Sequence, residues 1–351
     1  MTSLADLGGW PAVLSRVMAG EDLTAAEASA ALSDVLEGGA TSAQIAAFAV
    51  ALRVKGETVE EMSGLVQAML ERAEQVTLPG AGQAVDTCGT GGDRSRSINV
   101  STIAAFVVAG AGIPVCKHGN RAATSSAGSA DVLEALGVAI DLDAAGVARC
   151  VSEVGMGFCF APRFHPALRH AGPTRRELGV PTVFNFLGPL ANPARLRRQV
   201  VGVSDPTMAE NMLGVLAANG ADHAMVVYGH DGLDELTTTT TSSMLELSDG
   251  VVRHVVVDPA ELGLPVAVRG NLVGGDPSTN AQLARRVLDG EQGPHRDIVL
   301  LNAGAAIVAG GGAGDLAEGL AVAQRSVDDG AAAQVVQRLV EVSQAAASAA
   351  A

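Results

Sequence analysis

The chain has 351 residues, 48% of them hydrophobic and 3% aromatic, with 23 Lys and Arg against 38 Asp and Glu, a formal charge of −15. This length and apolar share predict a packed globule of one large or two smaller domains, not a disordered chain. The acidity excludes broad nucleic-acid binding through the phosphate backbone, and the scarcity of aromatics excludes base-stacking platforms.

The N-terminus carries Asp6, Glu21 and Asp22 in place of a basic segment followed by an apolar core, so no secretory signal is expected. No uncharged run of roughly 20 residues is free of glycine interruption, so no membrane span is expected either. A soluble, cytoplasmic protein follows. The first 75 or so residues read as helices. Three capping boxes punctuate them: Thr24 with Glu27, Thr41 with Gln44, and Thr58 with Glu61. In each, the hydroxyl accepts from the third helical N–H while the Glu or Gln reaches back. Leu32, Val35 and Leu36, then Ile45, Phe48, Ala49 and Leu52, repeat at helical spacing. Gly38-Gly39 and Gly56 fall at helix ends. Pro79-Gly80-Ala81-Gly82 reads as a hinge or linker.

From residue 83 short β-rich runs alternate with helical stretches. The strands expected are 84–88, 113–117, 157–161, 199–204, 223–228, 243–248 and 251–257, with helices over 101–111, 122–136 and 206–219. Asp205-Pro206 starts a helix, with Asp as N-cap and Pro at the first helical position. The alternation predicts an α/β sheet, mostly parallel in its first half. Residues 163–185 return to a helical pattern and are expected to complete the helical unit of 1–78, leaving 83–162 and 190–345 to the α/β unit. Ala345–Ala351 reads as a frayed tail. Cys88, Cys116, Cys150 and Cys159 lack zinc-binding spacing and read as buried free thiols.

Four stretches carry chemistry. Gly89-Thr90-Gly91-Gly92-Asp93 follows a strand and leads into Ser97, Asn99, Val100, Ser101 and Thr102 at a helix start. Glycines there let backbone N–H groups converge on an anion, and the helix dipole adds to the attraction. No Gly-Lys-Ser/Thr closes the loop, so it is not a Walker A motif. The second stretch runs through Lys117, His118, Gly119, Asn120, Arg121, Ala122, Ala123, Thr124, Ser125 and Ser129. Its cations, amides and hydroxyls suit a phosphorylated sugar. The third, Asp231-Gly232-Leu233-Asp234-Glu235-Leu236, sets two adjacent carboxylates after a strand, as magnesium bound beside phosphate oxygens requires. The fourth is the basic group Arg163, His165, Arg169, His170, Arg175 and Arg176, from which one Arg could hold an acidic substrate through paired hydrogen bonds. No Ser/His/Asp order or activated Cys points to covalent catalysis.

In this order these stretches, together with Ala51-Leu52-Arg53-Val54-Lys55-Gly56-Glu57-Thr58 and Phe184-Asn185-Phe186-Leu187-Gly188-Pro189-Leu190-Ala191-Asn192-Pro193, resemble the anthranilate phosphoribosyltransferases of tryptophan biosynthesis. The resemblance covers nearly the whole chain. It implies a small helical domain hinged to a larger α/β domain, in a homodimer. It also implies transfer of phosphoribose from phosphoribosyl pyrophosphate (PRPP) to anthranilate. Carried over by position, Gly89, Gly92, Asp93, Ser97, Asn99, Val100, Ser101, Thr102, Lys117 through Ser125 and Ser129 would hold PRPP. Ser101, Asp234 and Glu235 would hold two magnesium ions. Gly89, Asn120, His118 and Arg175 would meet anthranilate, with Arg175 on its carboxylate. Lys117, Asp234 and Glu235 would supply the electrostatic catalysis. Ser97 stands where the family often has Thr, and Pro181-Thr182 replaces an Arg-Thr pair. A pyrimidine nucleoside phosphorylase and a non-catalytic nucleic-acid-binding relative are the competing readings. The Asp234-Glu235 pair weighs against the first and the charge of −15 against the second.

Overall fold

A computed structural model describes residues 2–78, 81–122 and 126–350. Four helices open the chain: α1 (Gly9–Met18), α2 (Ala25–Glu37), α3 (Ser42–Lys55) and α4 (Val59–Glu71). All three expected capping boxes form. Thr24, Thr41 and Thr58 accept from the N–H groups of Glu27, Gln44 and Glu61, whose side chains return to the cap N–H. Gly38, with φ 79°, ends α2 in the left-handed conformation that favours glycine. The predicted apolar stripe of α3 (Ile45, Phe48, Ala49, Leu52) is buried.

The α/β part continues with β1 (Val85–Gly89), α5 (Val100–Gly110), β2 (Val115–Gly119), α6 (Ser129–Leu136), α7 (Ala144–Val154) and β3 (Met156–Phe160). Short helices α8 (Ala161–Phe164), α9 (Gly172–Leu178) and α10 (Val183–Leu190) follow. Then come β4 (Arg198–Gly202), α11 (Ala209–Ala218), β5 (His223–Gly229), β6 (Ser242–Ser248) and β7 (Val251–Val257). Helices α12 (Pro277–Leu288), α13 (Pro294–Ala309), α14 (Leu316–Asp328) and α15 (Ala331–Ala350) close the fold.

All seven expected strands are present, 251–257 at its expected bounds and the others displaced by a residue or two at one or both ends. They form one sheet in the order β3-β2-β1-β4-β5-β6-β7. The pairings from β3 to β5 are parallel, and β6 and β7 add antiparallel. Strand alternation assigns one core to each face. Val200, Met225, Val227 and Met244 face a core built with α5 and α13, while Val201, Ala224, Val226 and Leu245 face the core shared with the four N-terminal helices. Helix α4 packs on α11, and α9 and α10 pack against α3. Arg53 on α3 makes an ion pair with Asp205, and its guanidinium lies 5.4 Å from the centre of the Phe186 ring.

Two expectations are corrected. The helix expected over 122–136 starts at Ser129, with Gly128 as its N-cap, and Asp131 Oδ2 accepts from the N–H groups of both Gly128 and Ala122 (2.9 and 3.0 Å); residues 123–125 of the expected helix lie outside the described residues. The tail expected to fray from Ala345 is helical through Ala350. Alanine is the best helix former, and Ala346 (8% exposed) is buried in the core. Of the expected linker, Pro79 and Gly80 lie outside the described residues, and Ala81–Gln83 form a 3-10 turn.

Candidate active site

Strand order sets the position of the site. From β1 the chain builds outward on one side through β2 and β3, and on the other through β4 and β5. In such sheets a crevice opens beyond the carboxyl ends of the strands where the order reverses. Here β1 and β4 end in register on Gly89 and Gly202, and β2 ends beside them on Gly119. Both glycine positions are dictated by the loop after β5. A Cβ on Gly89 would stand 2.5 Å from Oδ2 of Asp234, and one on Gly202 would overlap the Asp234 carbonyl group. The first, third and part of the second stretches therefore meet in one crevice.

The phosphate-type loop is held open by its neighbours. Gly91 and Gly92 adopt φ values of 63° and 85°. Ser204 donates to the Gly91 carbonyl at 2.8 Å, and its own N–H meets Thr90 Oγ1 at 3.0 Å. The N–H of Gly91 donates to Asp234 Oδ2 at 2.7 Å. At the start of α5 the Ser101 N–H donates to Glu235 Oε1 at 3.2 Å. Asn99 donates to the Ala127 carbonyl at 3.0 Å and accepts from Asn280 at 2.8 Å. Ser97 pairs with Val273 in an isolated bridge. The side chains of Val100 and Thr102 are 1% exposed, so Val100 offers a ligand only its backbone.

Electrostatics distinguish the charged groups. Burial, reinforced by the Asp93 carboxylate, pushes Asp234 up to about 7, and burial beside Asp234 pushes Glu235 well above the usual carboxylate range. Asp93 Oδ2 is buried without a hydrogen-bond partner. Lys117 is 1% exposed; its ammonium donates to the Thr87 carbonyl and to Ser101 Oγ. Beneath it, buried Asp86 accepts from the His118 N–H at 3.1 Å and from Asn192 Nδ2 at 2.8 Å. Asp231 is satisfied internally by the hydroxyls of Thr237 and Thr239 (2.9 and 2.6 Å).

The rest of the second stretch is locally bonded. Asn120 Oδ1 accepts from the Arg121 N–H at 2.7 Å, and Ser129 Oγ donates to the Asn120 carbonyl at 3.2 Å. The Arg121 guanidinium engages Asp131 and Glu134. Ala123, Thr124 and Ser125 lie outside the described residues.

Helix α10 joins the basic stretch to this crevice. The Arg175 guanidinium lies 5.5 Å from the centre of the Phe184 ring and has no ion pair or hydrogen bond among the described residues. His118 Nδ1 meets the Gly188 carbonyl at 3.1 Å. Phe184 and Gly188 are one helical turn apart, about 6 Å along the axis, so Arg175 and His118 flank the same short helix. His165 bonds the Ala191 carbonyl through Nε2 at 2.8 Å, and its ring centre is 5.1 Å from that of His118. Burial, with His165 adding to it, pushes His118 down to about 3 and so keeps it neutral, and burial lowers His165 too. Arg163 pairs with Glu74 at 3.2 Å. The four cysteines are buried free thiols, and Cys116 and Cys159 touch across β2 and β3, Sγ to Sγ 3.5 Å.

Sequence reasoning missed Asp86, Thr87, Asn192 and Ser204, the groups that hold the loops. The sole signal was a small-polar ending common to β1 (Gly89-Thr90) and the segment after β4 (Gly202-Val203-Ser204). Among the described residues no three His, Cys, Asp or Glu side chains form a ready-made metal cage. Asp234 and Glu235 offer two carboxylates, which suits a magnesium completed by phosphate oxygens and water.

A crevice of loop amides, a buried lysine and paired carboxylates at the switch point of such a sheet defines an enzyme that handles phosphorylated substrates. Residues 81–333 match the model of the glycosyl transferase family α/β domain, and residues 11–73 match that of the family's helical bundle domain. The chain is 53% identical to the anthranilate phosphoribosyltransferase of Salinispora arenicola (strain CNS-205), over 96% of this chain and 97% of that protein. It is 54% identical to that of Nocardioides sp. (strain ATCC BAA-499 / JS614), over 94% and 98%. The crystal structure of the Thermus thermophilus anthranilate phosphoribosyltransferase superposes with a TM-score of 0.89 at 40% identity, covering 94% of this chain and 99% of that one. The Saccharomyces cerevisiae enzyme in complex with PRPP and Mg gives 0.87 at 26% identity, covering 96% and 98%. The same yeast enzyme in complex with 4-fluoroanthranilate gives 0.85 at 25%, covering 96% and 99%. The chain belongs to the anthranilate phosphoribosyltransferase family. These relatives lend no support to the phosphorylase or the nucleic-acid-binding reading.

Proposed function

We infer that the chain catalyses transfer of the 5-phosphoribosyl group from PRPP to the amine of anthranilate, giving N-(5-phosphoribosyl)anthranilate and pyrophosphate. The observation that carries this reading is the meeting of Gly89–Asp93, Lys117 and Asp234-Glu235 at the carboxyl ends of adjacent parallel strands. Gly89, Gly92, Asp93, Ser97, Asn99, Val100, Ser101, Thr102 and Lys117–Ser125, with Ser129, hold the donor. Arg175 takes the acceptor carboxylate, while Gly89, Asn120 and neutral His118 line its pocket.

The residues present fit magnesium. Asp234 and Glu235 are held against ionisation by burial, and Asp93 keeps an orphaned carboxylate oxygen that a cation or its water would satisfy. Ser101, Asp234 and Glu235 would hold two ions, which when bound neutralise the pyrophosphate leaving group. Lys117 and the loop amides stabilise the negative charge that grows as the C1–oxygen bond breaks. Arylamine attack needs alignment more than a base, because the amine is neutral at pH 7. The helices of 1–78 and 163–185 form the movable part that closes over the α/β part (83–162 and 190–345) and excludes water. Val50 and Val54, one turn apart on α3, and Met18 on the adjacent α1 are exposed, which supports a homodimer through this helical face. No described helix is long and apolar enough to cross a membrane; the protein works in the cytoplasm.

The test is the loss of anthranilate fluorescence on adding PRPP and magnesium, with an EDTA control. Metal-dependent loss is the expected result. A flat trace from folded protein refutes the assignment.

A further inference from the structure

We propose that Arg94 and Arg96, with Arg269 beside them, form a basic rim that captures the polyanionic donor before it reaches the loop amides. The inference rests on PRPP being the donor. The molecule as a whole carries −15, and the glycine-rich loop itself closes on the acid Asp93. Both repel a pyrophosphate ester. The cations already described do not offset this at the entrance. Lys117 is buried at the base, and Arg121 is neutralised by Asp131 and Glu134.

Arg94 and Arg96 differ from these. Both are exposed, and neither side chain makes an ion pair or hydrogen bond among the described residues. They alternate with Ser95 and Ser97, which are part-buried and bonded: Ser95 Oγ meets Ser97 Oγ and the Ser97 N–H, each at 3.1 Å. The serines thus face the protein while the arginines face solvent. The loop is also fixed. The Ile98 N–H donates to the Leu272 carbonyl at 3.0 Å, and the Gly274 N–H to the Arg96 carbonyl at 2.8 Å. This pairing sets Arg269, exposed and bonded to the Asp231 carbonyl at 3.3 Å, in the segment running alongside.

The backbone adds a second observation. Arg94 and Arg96 have φ values of 58° and 57°, a left-handed conformation unfavourable for residues with a Cβ. Glycine would relieve both positions. Strain kept next to a functional loop points to a role for the side chains that bear it. Two guanidiniums on this pinned backbone, unpaired among the described residues and within a few residues of Asp93, raise the local donor concentration and its association rate, an effect that salt screens over about 8–10 Å.

The test compares wild-type protein with Arg94→Gln/Arg96→Gln and Arg94→Gly/Arg96→Gly. The Gln pair should lower kcat/KM for PRPP about tenfold at low ionic strength, through KM, and less than twofold in 0.3 M salt. KM for anthranilate should not move. The Gly pair should lose as much donor capture while its denaturation midpoint rises. Wild-type kcat/KM in the Gln pair, or a loss that salt does not diminish, overturns the proposal. So does a loss confined to the Gly pair, which would assign the effect to loop stiffness. A wild-type chain that turns over no PRPP overturns the donor assignment itself, and the rim with it.

Discussion

Replacing Gly202 by Ala tests the claim that strand-end glycines place the carboxylates. A Cβ at this position would stand 2.7 Å from the Asp234 carbonyl carbon and overlap its oxygen. Carbon atoms pack at about 3.5–4.0 Å, so the backbone of Asp234 must retreat by about 1 Å. Strand β4 is anchored by β1 and β5 on both sides, so the loop gives way instead of the strand. Overpacking of this kind costs about 1–3 kcal/mol. A displacement of about 1 Å at reacting groups costs about a hundredfold in rate. Urea denaturation should therefore show a modest loss of stability. Steady-state assays should show a fall in kcat/KM of about a hundredfold, with half-saturation by magnesium moved to higher concentration. Gly82→Ala serves as control, because a Cβ there meets nothing within 4 Å. A Gly202→Ala protein with wild-type magnesium dependence and turnover would refute the reasoning.

Other substitutions probe the same structure. Joint Asp234→Ala and Glu235→Ala substitution should abolish magnesium-dependent turnover while the protein stays folded, as enzyme assay and circular dichroism will show. Arg175→Ala should raise KM for anthranilate by tenfold or more and leave KM for PRPP within a factor of two, since its partly desolvated guanidinium has no ion-pair or hydrogen-bond partner among the described residues. His118 is depressed from 6.5 to about 3, so below pH 6.5 the unfolded chain binds a proton that the folded chain refuses. Stability should fall as pH drops from 6.5 toward 3, by about 2 kcal/mol at pH 5 from this group, and His118→Gln should flatten the urea-midpoint profile. Thr41→Ala removes the cap that receives the Gln44 N–H and should cost about 1 kcal/mol in urea denaturation with turnover unchanged.

Elements marked by local physics were legible in the chain. The Thr-x-x-Glu and Thr-x-x-Gln boxes are satisfied within a single turn, so sequence alone locates the starts of α2, α3 and α4. Each strand carries enough β-branched and apolar residues to stand out between helices. Propensity alone misplaces the start of the 129–136 helix, because it does not foresee Asp131 accepting from the N–H groups of both Ala122 and Gly128. It also misreads the tail at Ala345, because an alanine-rich segment is equally consistent with fraying and with docking. A neighbouring surface decides between them.

The chemical inventory of the site was likewise local: a glycine-rich turn, a lysine, and two consecutive acids. These stretches carried the resemblance to the family, and that resemblance implied the reaction. Which groups meet was decided by the reversal of strand order between β1 and β4. That reversal brings Asp234 over Gly89 and Gly202, residues more than a hundred and more than thirty positions distant. The same long-range packing puts Asp86 and Asn192 beneath His118, and leaves Arg94 and Arg96 outside every ion pair among the described residues. Sequence sets a side chain's chemistry, but burial and charge partners exist only once distant segments are packed, and these set protonation, positioning and affinity.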